Sequence, residues 1–114
     1  MDLDRADFEA LVERALDEIP DEIAAQVRNL VVLVEDDAPG DHPDLLGVYD
    51  GVSLTARTAD HGGLPDRITI FRRPLLAMCR TPEELVREVR ITVVHEIAHH
   101  FGVDDVRLHD LGYG

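Results

Sequence analysis

The sequence predicts an α+β fold, with a small sheet packed on an N-terminal helix and a long central helix, and a short helix at the C-terminal end. Three observations carry that expectation. Apolar residues near the N-terminus recur three and four apart; two short β-branched runs occupy residues 30–34 and 67–71; and a well-capped segment from Thr81 to Phe101 has the length of a 20-residue helix, roughly 30 Å. At 114 residues, with no repeat and no low-complexity tract, the chain reads as a single domain spanning 1–114.

The elements follow in order. Phe8, Leu11, Val12, Ala15, Leu16 and Ile19 form one stripe of an amphipathic helix over residues 4–18, and Pro20 ends it. Asp21, with Ile23, Ala24 and Val27 behind it, starts a second, short helical segment. Leu30-Val31-Val32-Leu33-Val34 reads as a buried strand. The stretch from Glu35 to Asp44 holds two Pro, one Gly and four Asp, and reads as an exposed loop. A hairpin-like element is expected over Leu46 to Leu54, turning at Tyr49-Asp50-Gly51, with another loop from Arg57 to Pro65. Arg67 to Phe71 alternates, placing Ile68 and Ile70 on one face of a strand that Pro74 stops, and Leu75 to Cys79 makes a helical turn. Thr81 is the N-cap of the next helix, Pro82 suits its first position, and Glu84 completes a capping box. The residues around His95 are apolar on most sides (Ile91, Val93, Val94, Ile97, Ala98, Phe101), which predicts a central helix buried all round. Asp104 to Leu111 makes a short last helix.

Chemistry concentrates in residues 95–105, His-Glu-Ile-Ala-His-His-Phe-Gly-Val-Asp-Asp, or H-E-x-x-H-x-x-G-x-x-D. Four residues apart on a helix, His95 and His99 lie about 40° apart, so both Nε2 atoms can reach one Zn²⁺ at roughly 2.0–2.1 Å. Glu96, about 100° around from His95, stands beside that pair, where its carboxylate can reach a metal-bound water as general base. Gly102 tolerates positive φ and can end the helix, letting Asp105 swing back as third ligand. Three protein ligands and a water make an open, catalytic arrangement.

Other side chains compete for roles. His109 would approach the metal if the last helix folds back, and Asp104 is better suited to starting that helix. His100, about 140° from His95, belongs to packing or surface. His42 and His61 lie in loops and either stay solvated or line the mouth of a cleft. Thr92 and Glu88 share the ligand face and are candidates to hydrogen-bond behind the ligands.

On these residues the motif resembles that of the zincin metallopeptidases, in the elongated form of metzincins, with Asp105 where most have a third His. The short length, Gly47-Val48-Tyr49-Asp50-Gly51-Val52 and Asp66 to Pro74 are similar to the small bacterial minimal-zincin metallopeptidase-like domains. The resemblance covers about residues 45–113. It implies a minimal zincin-like fold with a small mixed sheet, and a Zn²⁺ hydrolase site at His95, Glu96, His99 and Asp105. One feature departs from metzincins. Both methionines, Met1 and Met78, precede the motif, so the methionine-containing turn beneath the metal has no counterpart.

Composition removes rival chemistries. No lysine is present, so there is neither a Walker P-loop nor Schiff-base chemistry. Ser53, the one serine, is outside any G-x-S-x-G elbow, and Cys79 reads as a buried structural thiol. A net charge of −13 and five aromatics without Trp oppose nucleic acid and anionic membranes. The lone cysteine and the absence of a signal-like or membrane-spanning segment predict a cytoplasmic protein. The function expected is a zinc-dependent peptidase of weak or narrow activity. Its water would be activated by the metal and by Glu96, and an extended peptide would lie beside strand 67–71 if that strand is the sheet edge. The alternatives are a metal-dependent RNA hydrolase and a silent or structural-metal binding module. Oligomeric state is left open.

Overall fold

The N-terminal helix α1 (Arg5–Asp17) begins where Asp4 turns its carboxylate onto the Asp7 N–H at 2.8 Å, satisfying one of the helix's orphan donors. The computed structural model describes residues 1–27, 29–51 and 65–113. On α1 the predicted stripe buries Phe8, Val12 and Ala15 against the long helix, α4 (Pro82–Phe101). After Pro20 comes the single turn α2 (Asp21–Ala24), which buries Ile23.

Among the described residues three strands make a mixed sheet in the order β1-β3-β2: β1 (Leu30–Glu35), β2 (Gly47–Asp50) and β3 (Asp66–Phe71). β1 runs parallel to β3, with Leu30 opposite Asp66 and Glu35 opposite Phe71. β2 runs antiparallel to β3, with Gly47 opposite Ile70 and Asp50 opposite Arg67. Ile68 and Ile70 are fully buried, as their alternation predicted. Two expectations are corrected. Among the described residues β3 lies between β1 and β2, so it has no free edge for a peptide, and the edges belong to β1 and β2. Tyr49 and Asp50 are extended strand residues rather than a turn. The remainder of the expected hairpin, residues 52–54, and the loop at 57–64 lie outside the described residues.

β1 also departs from the expectation of a wholly buried strand. Val34 is buried, but Val31 and Leu33 are each 38% exposed. Alternate side chains of an edge strand face opposite sides of the sheet, so an apolar run does not require cover on both.

α3 (Arg72–Met78) starts directly at the end of β3, earlier than the predicted turn at Leu75. Pro74 is tolerated in its first turn because the N–H it lacks would have had no partner within the helix. Arg72 ties this junction to Asp36 at 2.9 Å and to the Leu3 carbonyl at 2.7 Å.

α4 has the predicted bounds. The Thr81 hydroxyl accepts from the Glu84 N–H at 3.1 Å, while the Glu84 carboxylate takes the Arg80 N–H at 3.3 Å instead of closing the box on Thr81. Its buried face runs from Leu85 through Val89, Val93 and Val94 to Ile97 and Ala98. The last turn emerges from the core. His95 and Glu96 are half-buried, and His99, His100 and Phe101 are exposed, so the helix is not buried all round and its histidines are not enclosed in apolar surroundings. Gly102 ends it at φ +70°, and α5 (Asp105–Asp110) follows. Among the described residues no helix is long and apolar enough to cross a membrane.

Candidate metal centre

The turn at Gly102 sets the site. With the Val103 N–H bonded to the Ala98 carbonyl at 2.9 Å, the chain reverses at the end of α4. Asp104 then caps α5, its carboxylate accepting from the Arg107 N–H at 2.8 Å, which is the helix-starting role expected of it. Asp105 becomes the first residue of α5 and faces back toward α4. His95, His99, Asp105, His109, Leu108 and Tyr113 line one cavity of about 370 Å³. The imidazoles of His95 and His99 have centroids 6.0 Å apart, with planes inclined by 48°.

Glu96 is not among the residues lining that cavity. Its Oε1 accepts the backbone N–H of Tyr49 on β2 at 3.0 Å. His100 is turned elsewhere again, stacked on the Tyr49 ring at 4.1 Å, in the packing role expected of it. The Thr92 hydroxyl donates to the Glu88 carbonyl of its own helix at 2.8 Å. His42 lies in the exposed loop, 3.7 Å from Asp41, and His61 falls outside the described residues.

Tyr113 was not anticipated from sequence. Gly112, at φ +88°, closes α5 with its N–H on the His109 carbonyl at 2.9 Å, and the Tyr113 N–H reaches the Leu108 carbonyl at 2.8 Å. This is the paired bonding of a Schellman turn, and a glycine just past a helical segment was its only signal. The turn carries the Tyr113 carbonyl to 2.7 Å from His95 Nε2. A carbonyl only accepts, so Nε2 carries the hydrogen in this contact.

Two imidazoles and a carboxylate, with no thiolate, form a donor set suited to zinc, and one cavity gathers them. As placed, no three His, Cys, Asp or Glu side chains among the described residues converge to metal-binding spacing. At His95 the proton held toward Tyr113 occupies the lone pair that coordination uses. Loading a metal through Nε2 therefore exchanges that hydrogen bond for a coordination bond.

A family model described as zincin-like metallopeptidase matches residues 27–114, which take in the whole sheet, α4 and the cavity. A solved structure of a conserved hypothetical protein from Thermo thermophilus is similar over 87% of this chain and 94% of that one, with a TM-score of 0.54 and 24% sequence identity. At that identity the likeness is one of fold. No curated protein matches the sequence.

Proposed function

The chain belongs to the zincin-like metallopeptidase family, and on that premise we propose that it is a zinc-dependent peptidase. His95, His99 and Asp105 would hold the metal, and Glu96 would be the general base. The observation that carries this is the cavity walled by the two α4 histidines and Asp105, with Glu96 next to His95 in sequence. Bound zinc supplies a Lewis acid for the scissile carbonyl and lowers the pKa of a bound water to about 7.

The chain's own residues do the rest. Glu96 accepts a proton from the attacking water at its carboxylate and returns it to the leaving amine. Its Oε1 is held by the Tyr49 N–H while it does so. With β3 between the other two strands, β2 is the edge strand beside α4, and an extended peptide or protein segment would pair there through outward groups other than the Tyr49 N–H, which Glu96 engages. The charge of −13 disfavours nucleic acid and supports the peptide reading over an RNA hydrolase.

A second reading has one observation in its favour. Because His95 Nε2 is already engaged by Tyr113, a silent or structural-metal module remains the alternative. Zinc content by mass spectrometry, paired with cleavage of a quenched-fluorescent peptide library, tests the two together. Stoichiometric zinc with cleavage that a chelator abolishes supports the peptidase; zinc without cleavage supports the module. His95→Ala and His99→Ala should each strip the metal, and zinc retained by the double variant would remove the site altogether.

A further inference from the structure

We propose that Tyr49 is a positioning residue for Glu96, resting on the reading of Glu96 as the base. Its backbone N–H fixes one oxygen of the Glu96 carboxylate, and its side chain holds that N–H in place.

The contact joins residues 47 positions apart. Antiparallel strands direct alternate N–H groups toward and away from the partner strand. On β2 the Tyr49 N–H is turned from β3 to the carboxylate on α4. An N–H turned outward from an edge strand is open to a partner outside the sheet, and here that partner is a side chain.

Two glycines let β2 approach α4 this closely. At Gly47 an added Cβ would lie 2.9 Å from Thr92 Cγ2 and 3.1 Å from the Thr69 carbonyl oxygen. At Gly51 it would lie 2.7 Å from His100 Cε1. A side chain at Gly47 would crowd both α4 and the β3 backbone, and one at Gly51 would displace the His100 ring.

Between those glycines the Tyr49 side chain is pinned on several sides. Its ring stacks on His100 with planes 19° apart and meets Phe101 edge-on at 6.0 Å. Its hydroxyl donates to Asp66, the one buried charged residue among those described. These contacts reach the last turn of α4 at His100 and Phe101 and the start of β3 at Asp66. The strand is thereby locked to the helix at the residue whose N–H meets Glu96. A half-buried glutamate on an emerging turn would otherwise sample several rotamers. Fixing Oε1 beforehand leaves the second oxygen to take the proton with less reorganisation.

The test has one arm without turnover and one with it. In the first, amide hydrogen exchange is followed by NMR on the full chain. Exchange at Tyr49 should be slow and should quicken at least about tenfold in Glu96→Ala, while Val48 and Asp50 are unchanged. Equal exchange in the two proteins overturns the contact. In the second arm, Tyr49→Ala should lower kcat about 10- to 100-fold with KM within about twofold and zinc content intact, and Tyr49→Phe should recover much of the loss. An unchanged kcat, or a loss confined to KM, overturns the positioning role. If Tyr49→Ala does not fold, Tyr49→Phe decides: it removes only the hydroxyl and should give a measurable part of the kcat loss, and its absence overturns the proposal. Absence of cleavage by the unaltered protein overturns the peptidase reading instead, and the exchange arm then decides for or against the Tyr49–Glu96 contact alone.

Discussion

The Tyr49 N–H meets Glu96 Oε1 at 3.0 Å, so the edge strand and the central helix share one hydrogen bond at the residue next to His95. This bond separates the functions of neighbouring positions on α4. His95 and His99, about 40° apart around the helix, face the cavity; Glu96, about 100° round, faces β2; His100, about 140° round, stacks on Tyr49. The emerging end of α4 thus presents its ligand candidates to the cavity and its base candidate, about 60° further round, to the strand beside it.

Glu96→Gln isolates the base. The amide oxygen of glutamine still accepts from the Tyr49 N–H, so strand and helix should stay joined, and the histidines are untouched. Zinc content should be preserved while hydrolysis falls about 10²–10⁴-fold, because an amide cannot take up the proton of water. Turnover unchanged in this variant would leave the residue without a catalytic part.

Gly47→Ala tests how tightly β2 sits on α4. The new Cβ would meet Thr92 Cγ2, the Thr69 carbonyl oxygen and Ile70 Cδ1 at 2.9, 3.1 and 3.2 Å, two of them on β3, so the strand cannot ease away from both neighbours at once. A cost of about 1–3 kcal/mol in urea unfolding is expected from overpacking of this kind. Gly40→Ala, with nothing within 4 Å, is the control and should stay within about 0.5 kcal/mol of the parent. Equal stability of the two variants would mean that β2 has room to move.

How much of this was legible beforehand depended on the range of the interaction. Thr81-Pro82 and Gly102 specify the ends of α4 by local chemistry, and both ends stand where they were expected. The placing of Asp105 on the same cavity as the two histidines was legible for the same reason, since it needs one turn at a glycine, whereas their side chains do not converge to metal-binding spacing. Burial of β1 was not, because an apolar run does not say which sheet face a helix will cover. β2 was hidden further, as four residues beginning at Gly47 and carrying Tyr49-Asp50 resemble a turn until β3 pairs with them. The contacts of Glu96 with Tyr49 and of His95 with Tyr113 join distant residues and leave no local pattern.

Acid should loosen the cavity from the outside. The Arg107 guanidinium, hydrogen-bonded to Glu22, holds that carboxyl below its ordinary value of 4.5 and ties α2 to α5, the helix that carries Asp105 and His109. A carboxyl depressed in the folded state stabilises it fully above its unfolded pKa, and that contribution disappears as pH falls through the folded value. Both side chains are near half exposed, so the effect is small and salt-sensitive. Glu22→Gln should therefore melt below the parent at about pH 6, and the two should converge as pH falls below 4.5 and through the lowered folded-state pKa. A difference in Tm that persists into acid would assign the contribution to packing instead of charge. Asp36, similarly depressed by Arg72, titrates in both proteins and cancels in the comparison.

The choice of third ligand is the sharpest question the cavity poses, since Asp105 and His109 both line it. Asp105 follows from the turn at Gly102, which returns the chain one residue after the Asp104 cap. His109 lies one turn further along α5. Asp104 is already engaged, accepting from the Arg107 N–H at 2.8 Å. Loss of that cap should fray α5 by about 1 kcal/mol without removing a ligand. In zinc titrations Asp105→Ala should weaken binding by more than the roughly 10- to 100-fold that supporting groups around a metal typically cost. Asp104→Ala and His109→Ala should each fall within or below that range. If His109→Ala abolishes binding while Asp105→Ala retains it, the metal is held by three imidazoles from α4 and α5, and the carboxylate at Asp105 is a bystander on the cavity wall.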